Sequence, residues 1–247
     1  MAKYESNNPM LRDSVFDKNR IVLEGEPLTR TGTIAKTVLL FAILCAGAFF
    51  GFTRAGTVMG SPAVWIALLI VGTALSFVTA FVPRVSPVTA PLYALAEGVL
   101  VGSISAAFAS FYSGIIVEAV LITFAMFLVT LVFYSTGLIR VTHRFRTGIL
   151  IATLGVGLVY LMDIGLSFFG MGVPFLTGNS MWGLAINLVI VIIAALNFML
   201  DFDYIDRAQA TGAPKFMEWY MGYSLMVTFV WLYMEVLRLL SRIQSSK

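Results

Sequence analysis

Thirteen acidic residues are spread through a 247-residue chain, and seven of them fall in or at the edge of long apolar runs: Glu97, Glu118, Asp163, Asp201, Asp203, Glu218 and Glu235. A carboxylate in hydrocarbon is costly and needs a partner or a purpose. Two carboxylates close together in low dielectric cannot both ionise cheaply, so such a pair shares a proton and can sense pH or hold a cation. Calcium takes oxygen ligands, which carboxylates and carbonyls supply. Glu235 and Arg238 are three residues apart and can pair on one helix face. Other chemistry lacks its parts. The sequence has one histidine, His143, and one cysteine, Cys45, so it offers neither a multi-His centre nor an intramolecular disulfide. It contains no G-x-S-x-G or His-Glu-x-x-His pattern, and Trp219–Leu240 has no lysine for a Schiff base. We therefore expect no enzyme activity and no cofactor.

The elements that must position these acids follow from composition. The chain is 59% apolar and 12% charged, against about 45–50% and about 25% in soluble domains. This excludes a soluble enzyme, a disordered chain and a nucleic-acid binder. A net charge of +3, from 16 basic and 13 acidic residues, gives no reason to expect a polyanionic partner. A hydrocarbon core needs about 20 apolar residues per helix. Seven runs qualify: 34–53, 63–82, 88–110, 113–135, 148–170, 181–203 and 216–240. Barrel strands would alternate polar and apolar, whereas Leu184–Leu200 is nearly unbroken. The expected fold is all-α, a polytopic bundle of seven transmembrane helices over 34–243. Residues 1–33 form a polar tail with a turn signal at Asn7, Asn8 and Pro9, and 244–247 a short C-terminal tail. The apolar run begins too late for a secretory signal.

Short-loop basic residues set orientation. An inner N-terminus places Arg20, Arg30, Arg84, Arg140, Arg144, Arg146 and Arg207 inside, with Lys36 and Lys215 on the same side and Arg54 alone in the outer connectors. Arg238, Arg242 and Lys247 are the exception. Either the C-terminal end exits, or the last helix does not fully cross. His143 among its arginines reads as a topology signal, with pH sensing or anionic lipid contact as lesser alternatives. Trp65, Trp182, Trp219, Tyr220 and Tyr223 fit an interfacial belt. Gly47-x-x-x-Gly51 and Gly98-x-x-x-Gly102 suit close helix packing within the bundle, a dimer seam being the alternative.

Thr211-Gly212-Ala213-Pro214 combines a helix-ending Gly with a helix-starting Pro. A tight hairpin centred near 212 sets Asp201 opposite residue 222 or 223. Glu218, about one turn (roughly 5.4 Å) away, is then the nearest acid. The alternative is that both groups are interfacial and merely solvated or capped.

Three segments resemble the transmembrane Bax inhibitor motif family, in a bacterial branch. Residues 195–206 (ALNFMLDFDYID) resemble its sixth-span signature, 96–102 (AEGVLVG) its Glu-Gly segment, and 232–238 (LYMEVLR) its last-helix pattern. The resemblance covers about residues 30–243. It implies a seven-helix bundle with the last helix central, and a pH-sensitive calcium leak gated by acids on spans six and seven with an Arg of span two. Asp201 matches the first acid. Glu235 matches the second, as Glu for Asp, which makes Asp201 and Glu235 the possible calcium ligands. Arg84 matches the Arg loosely, at the extreme end of span two. A turn at 212 conflicts with this pairing, because it sets Glu235 about twelve residues, roughly 18 Å, beyond Asp201. The motif favours Glu235 as the partner and the geometry favours Glu218. Glu97, Glu118, Asp163 and Arg238 are further candidates for the pathway.

The expected partners are the lipid bilayer, calcium or another cation as permeant ion, and other membrane proteins. The expected location is a bacterial plasma membrane with the N-terminus cytoplasmic. The competing function is a stress-protective membrane protein that acts through protein partners without an ion pathway.

Overall fold

The computed structural model describes residues 26–171 and 181–245. The expectations for 1–25, including the turn at Asn7, Asn8 and Pro9, lie outside the described residues, as do 172–180 and 246–247. Seven helices are long and apolar enough to cross a membrane: α1 (Arg30–Thr53), α2 (Pro62–Phe81), α3 (Ser86–Phe111, preceded by a 3-10 turn at Pro83–Val85), α4 (Ile115–Ser135), α5 (His143–Ser167), α6 (Met181–Ala210) and α7 (Met217–Ser245). A short helix, Ala55–Gly60, joins α1 to α2. No strand occurs among the described residues; Pro27 and Pro214 form an isolated bridge. The bundle is all-α, as composition required.

Helix α7 is the most buried and touches each of the others. Gly222 meets Thr37 of α1. The Tyr223 hydroxyl lies 2.7 Å from Ser76 Oγ of α2, and the Tyr233 hydroxyl lies 2.7 Å from Ser105 Oγ of α3. Phe229 packs edge-on against Phe124 and Phe127 of α4 and Phe198 of α6. Tyr160 of α5 reaches Glu235. Tyr223, expected at the interface, is instead a core group, 6% exposed, because its hydroxyl finds Ser76 inside the bundle.

The two glycine pairs pack against each other. A Cβ on Gly98 or Gly102 would run into backbone of Leu44 or Ala48, and one on Gly47 would come 2.6 Å from the Leu95 carbonyl. Helices α1 and α3 thus meet backbone to backbone, which only glycine permits. This is packing within one chain.

The α6–α7 hairpin is as tight as its Gly and Pro indicated. Gly212 has φ 66°, the Gly212 N–H bonds the Gln209 carbonyl, and the Ala213 N–H bonds that of Ala208 at 2.9 Å. This is a Schellman ending, whose left-handed residue favours glycine. The Leu28 N–H donates to the Ala213 carbonyl at 2.7 Å, tying the segment before α1 to the hairpin. Lys215 pairs with Glu26 at the same place. The hydrogen bond and charge of Lys215 hold the Glu26 carboxyl below the usual range, and Glu26 raises Lys215 in return. Glu26 therefore adds to stability above the usual carboxylate pKa, and that contribution fades as pH falls through its lowered value. Both groups are at the surface, so the pair is weak.

At the other end, Gln244 of α7 donates to Glu118 in the first turn of α4, and Arg242 donates to the Gly183 carbonyl at 3.0 Å. Helix α7 therefore traverses the bundle end to end.

Candidate functional site

Asp201 lies on α6, half-buried, three turns before the hairpin. Its Oδ1 accepts from Ser224 Oγ and its Oδ2 from Thr228 Oγ1, both at 2.6 Å. The two hydroxyls are one turn apart on α7, so each carboxylate oxygen takes one hydroxyl across the helix interface. That length suits an O–H donor on an ionised acceptor. Ser224 lies just beyond the 222 or 223 that the hairpin predicted, and Thr228 one turn further on. An ionised carboxylate only accepts, whereas a protonated one must donate from one oxygen. A proton on Asp201 therefore forces one hydroxyl to turn and alters the α6–α7 clasp.

Neither acid offered as a partner is there. Glu235 is seven residues beyond Thr228, about 10 Å further along α7. It is 2% exposed and accepts four donors: Tyr160 Oη at 2.7 Å, Asn187 Nδ2 at 3.1 Å, Trp231 Nε1 at 3.2 Å and Arg238 Nη1 at 3.1 Å. Asp201 and Glu235 do not form a joint ligand set. Among the described residues no group of three His, Cys, Asp or Glu converges to hold a metal ion.

Glu218, 1% exposed, turns to α1. Its Oε1 accepts from Thr29 N at 3.1 Å and Thr29 Oγ1 at 2.9 Å, while Thr29 Oγ1 accepts from Gly32 N at 2.9 Å to cap α1. The carboxylate lies where a Cβ of residue 32 would be, so any other residue there would displace it. A negative group at a helix N-terminus is favourable. Glu218→Ala should remove this support of the cap, lowering stability by about 1 kcal/mol, read as a lower thermal midpoint in detergent. A midpoint equal to wild type would contradict it.

Arg84 is exposed in the 3-10 turn Pro83–Val85, outside α2, and no ion pair to it is found among the described residues. Glu97 is half-buried on α3, one turn from Tyr93, with its Oε2 beside Gly72 of α2. Glu118 is exposed. Asp163 and Arg238 come together with Tyr160 and Ile164 around a cavity of about 280 Å³.

A line of polar contacts links these places. Three residues of α5 at seven-residue spacing face α6 and α7. Arg146 pairs with Asp203, Thr153 Oγ1 accepts from Asn197 Nδ2 at 2.9 Å, and Tyr160 donates to Glu235. From 146 to 160 the line runs about 21 Å, most of a hydrocarbon core of roughly 30 Å. Asn197 is one turn from Asp201 on α6. Helix α5 has no buried residue, so it lies at the outside of the bundle. Where the line begins, Asp203 also takes Arg207, and Asp206 takes Arg30 at 2.7 Å and the Tyr134 hydroxyl at 2.7 Å. The seven-residue spacing of Arg146, Thr153 and Tyr160 was the sequence signal for this seam.

The fold and site define an integral membrane protein: a seven-helix bundle whose interior acids are held by hydroxyls, amides and arginines. The chain belongs to the Bax inhibitor 1 like family, whose model matches residues 8–245, nearly its whole length. No curated protein matches it.

Proposed function

We propose that the protein is a pH-sensitive cation leak, for calcium, along the seam between α5, α6 and α7, gated by protonation of Asp201. One observation carries this reading: a file of polar pairs, Arg146 with Asp203, Thr153 with Asn197 and Tyr160 with Glu235, runs about 21 Å along the bundle. Polar and ionisable groups inside a membrane are costly and mark ion or proton routes. The acids are spread along the route rather than gathered into a cage, which suits an ion that must leave again. Asp201 couples the route to pH, because its proton changes how α6 holds α7.

The reading sets the protein in a bacterial plasma membrane with the N-terminus cytoplasmic. Arg30, Lys36, Arg84, Arg140, Arg144, Arg146, Arg207 and Lys215 gather at the hairpin end of the bundle, which favours that end as the inner one. Arg238 and Arg242 at the opposite end bond to Glu235 and to the Gly183 carbonyl within the bundle. They are not loop charges, so they weigh little against this orientation. On this reading the protein is no enzyme and needs no cofactor.

Calcium efflux from proteoliposomes tests the proposal. The protein should release calcium faster than empty vesicles, at a rate that changes between about pH 5 and pH 8. Efflux equal to that of empty vesicles at every pH would sink it. Undiminished stress protection by a transport-dead variant would move the physiological role to protein partners.

A further inference from the structure

At the end of the seam away from Asp201, one cation is already in place. Arg238 Nη1 lies 3.1 and 3.2 Å from the two oxygens of Glu235 and also bonds the Tyr160 hydroxyl. Its guanidinium stands 5.0 Å from the centre of the Tyr160 ring. A carboxylate, a phenol oxygen and an aromatic face are together what a desolvated cation seeks. The Arg238 side chain is 36% exposed, against 2% for Glu235. It also lines the cavity with Tyr160, Asp163 and Ile164. The guanidinium therefore separates an open mouth from the buried carboxylate behind it. Arg242, one turn further on, differs: it is 9% exposed and reaches the Gly183 carbonyl.

We infer that Arg238 is a tethered plug, its guanidinium filling the Glu235–Tyr160 site that a permeant cation must occupy to pass this end of the seam. The inference rests on the cation-pathway reading and adds to it a second barrier, remote from Asp201. The side chain is held by one flexible arm, so it can swing aside toward the cavity without any helix moving. While it is seated, its charge repels an approaching cation, and its contacts deny that cation the oxygens.

Calcium efflux from proteoliposomes bearing wild type, Arg238→Lys, Arg238→Gln and Tyr160→Phe provides the test, each variant first checked for a cooperative thermal transition. Arg238→Gln should raise efflux about tenfold, the lower range of effects from a fixed charge in a narrow passage. Guanidinium ion added outside should restore the block in that variant and leave wild type unchanged. Arg238→Lys, which keeps the charge, should stay near wild type. Tyr160→Phe keeps the ring but loosens the guanidinium, and should raise efflux severalfold; it decides the matter if Arg238→Gln is not recovered folded. The plug is overturned if wild type shows pH-dependent efflux while Arg238→Gln, or Tyr160→Phe in its place, stays within about twofold of it. That result leaves the pathway standing. If no variant conducts, pathway and plug fail together.

Discussion

Gly102→Leu is expected to leave no stably folded bundle. The Cβ of any residue at 102 would be driven into the backbone of Ala48, and backbone cannot rotate out of the way as a side chain can. Helix α1 would have to lift from α3 along the whole Gly47–Gly51 and Gly98–Gly102 contact. Overpacking ordinary cores costs about 1–3 kcal/mol. Here no side chain can yield, so the cost should exceed about 3 kcal/mol, a large part of a total near 5–15 kcal/mol. Displacing α1 would also pull Thr29 from Glu218 and Arg30 from Asp206, loosening the hairpin end. Gly155→Ala is the control, because nothing lies within 4 Å of a Cβ there. Size-exclusion profiles and thermal scans in detergent should show Gly102→Leu aggregated or strongly destabilised, and Gly155→Ala unchanged. A normal profile for Gly102→Leu would mean that α1 and α3 are further apart than described.

Glu235→Ala should have the next largest effect. The carboxylate receives donors from α5, α6 and α7, and its loss strands Asn187 Nδ2 and the Arg238 guanidinium together. Among the described residues the Asn187 Oδ1 is already buried without a hydrogen-bond partner, so that amide has no alternative to hand there. Stranded buried donors cost about 1–3 kcal/mol. With Arg238 able to reach water in part, we expect a total of about 2–3 kcal/mol, or a midpoint lower by roughly 5–10 °C. Glu235→Gln keeps one acceptor oxygen and should recover part of the loss. Glu118→Ala, at an exposed position, should change little. If Glu235→Ala melted no earlier than Glu118→Ala, the four-donor site would carry no stability.

The apolar runs made seven helices legible, because the bilayer sets their length. The hairpin at 212 was legible because Gly and Pro act locally, and it placed Asp201 within two residues of one partner, Ser224. The partners themselves were hidden. Ser224 and Thr228 are ordinary hydroxyls in an apolar helix, and only the cross-helix geometry gives them a role. The last-helix motif drew attention to Glu235 as a partner for Asp201. The tight turn instead sets the two acids at different depths, so Asp201 is held by two hydroxyls rather than by a second acid. Glu218 drew attention as a possible partner of Asp201, but its partner, Thr29, is 189 positions away, beyond any local pattern. Arg84 lies in a turn rather than inside span two, because the helix ends at Phe81. The α5 stripe went unnoticed because Arg146, Thr153 and Tyr160 are chemically unlike, and their shared face shows only once α5 lies against α6.

Asp201→Asn tests the central claim most directly, measured as calcium efflux from proteoliposomes between about pH 5 and pH 8. Asn is nearly isosteric, and its amide can still bond Ser224 and Thr228, so the helices should stay clasped. It cannot take up a proton in that range. Wild-type efflux should change severalfold with pH, and the variant's efflux should be flat at one level. A variant that conducts with the same pH profile as wild type would show that the proton sensor lies elsewhere and that Asp201 is not the gate.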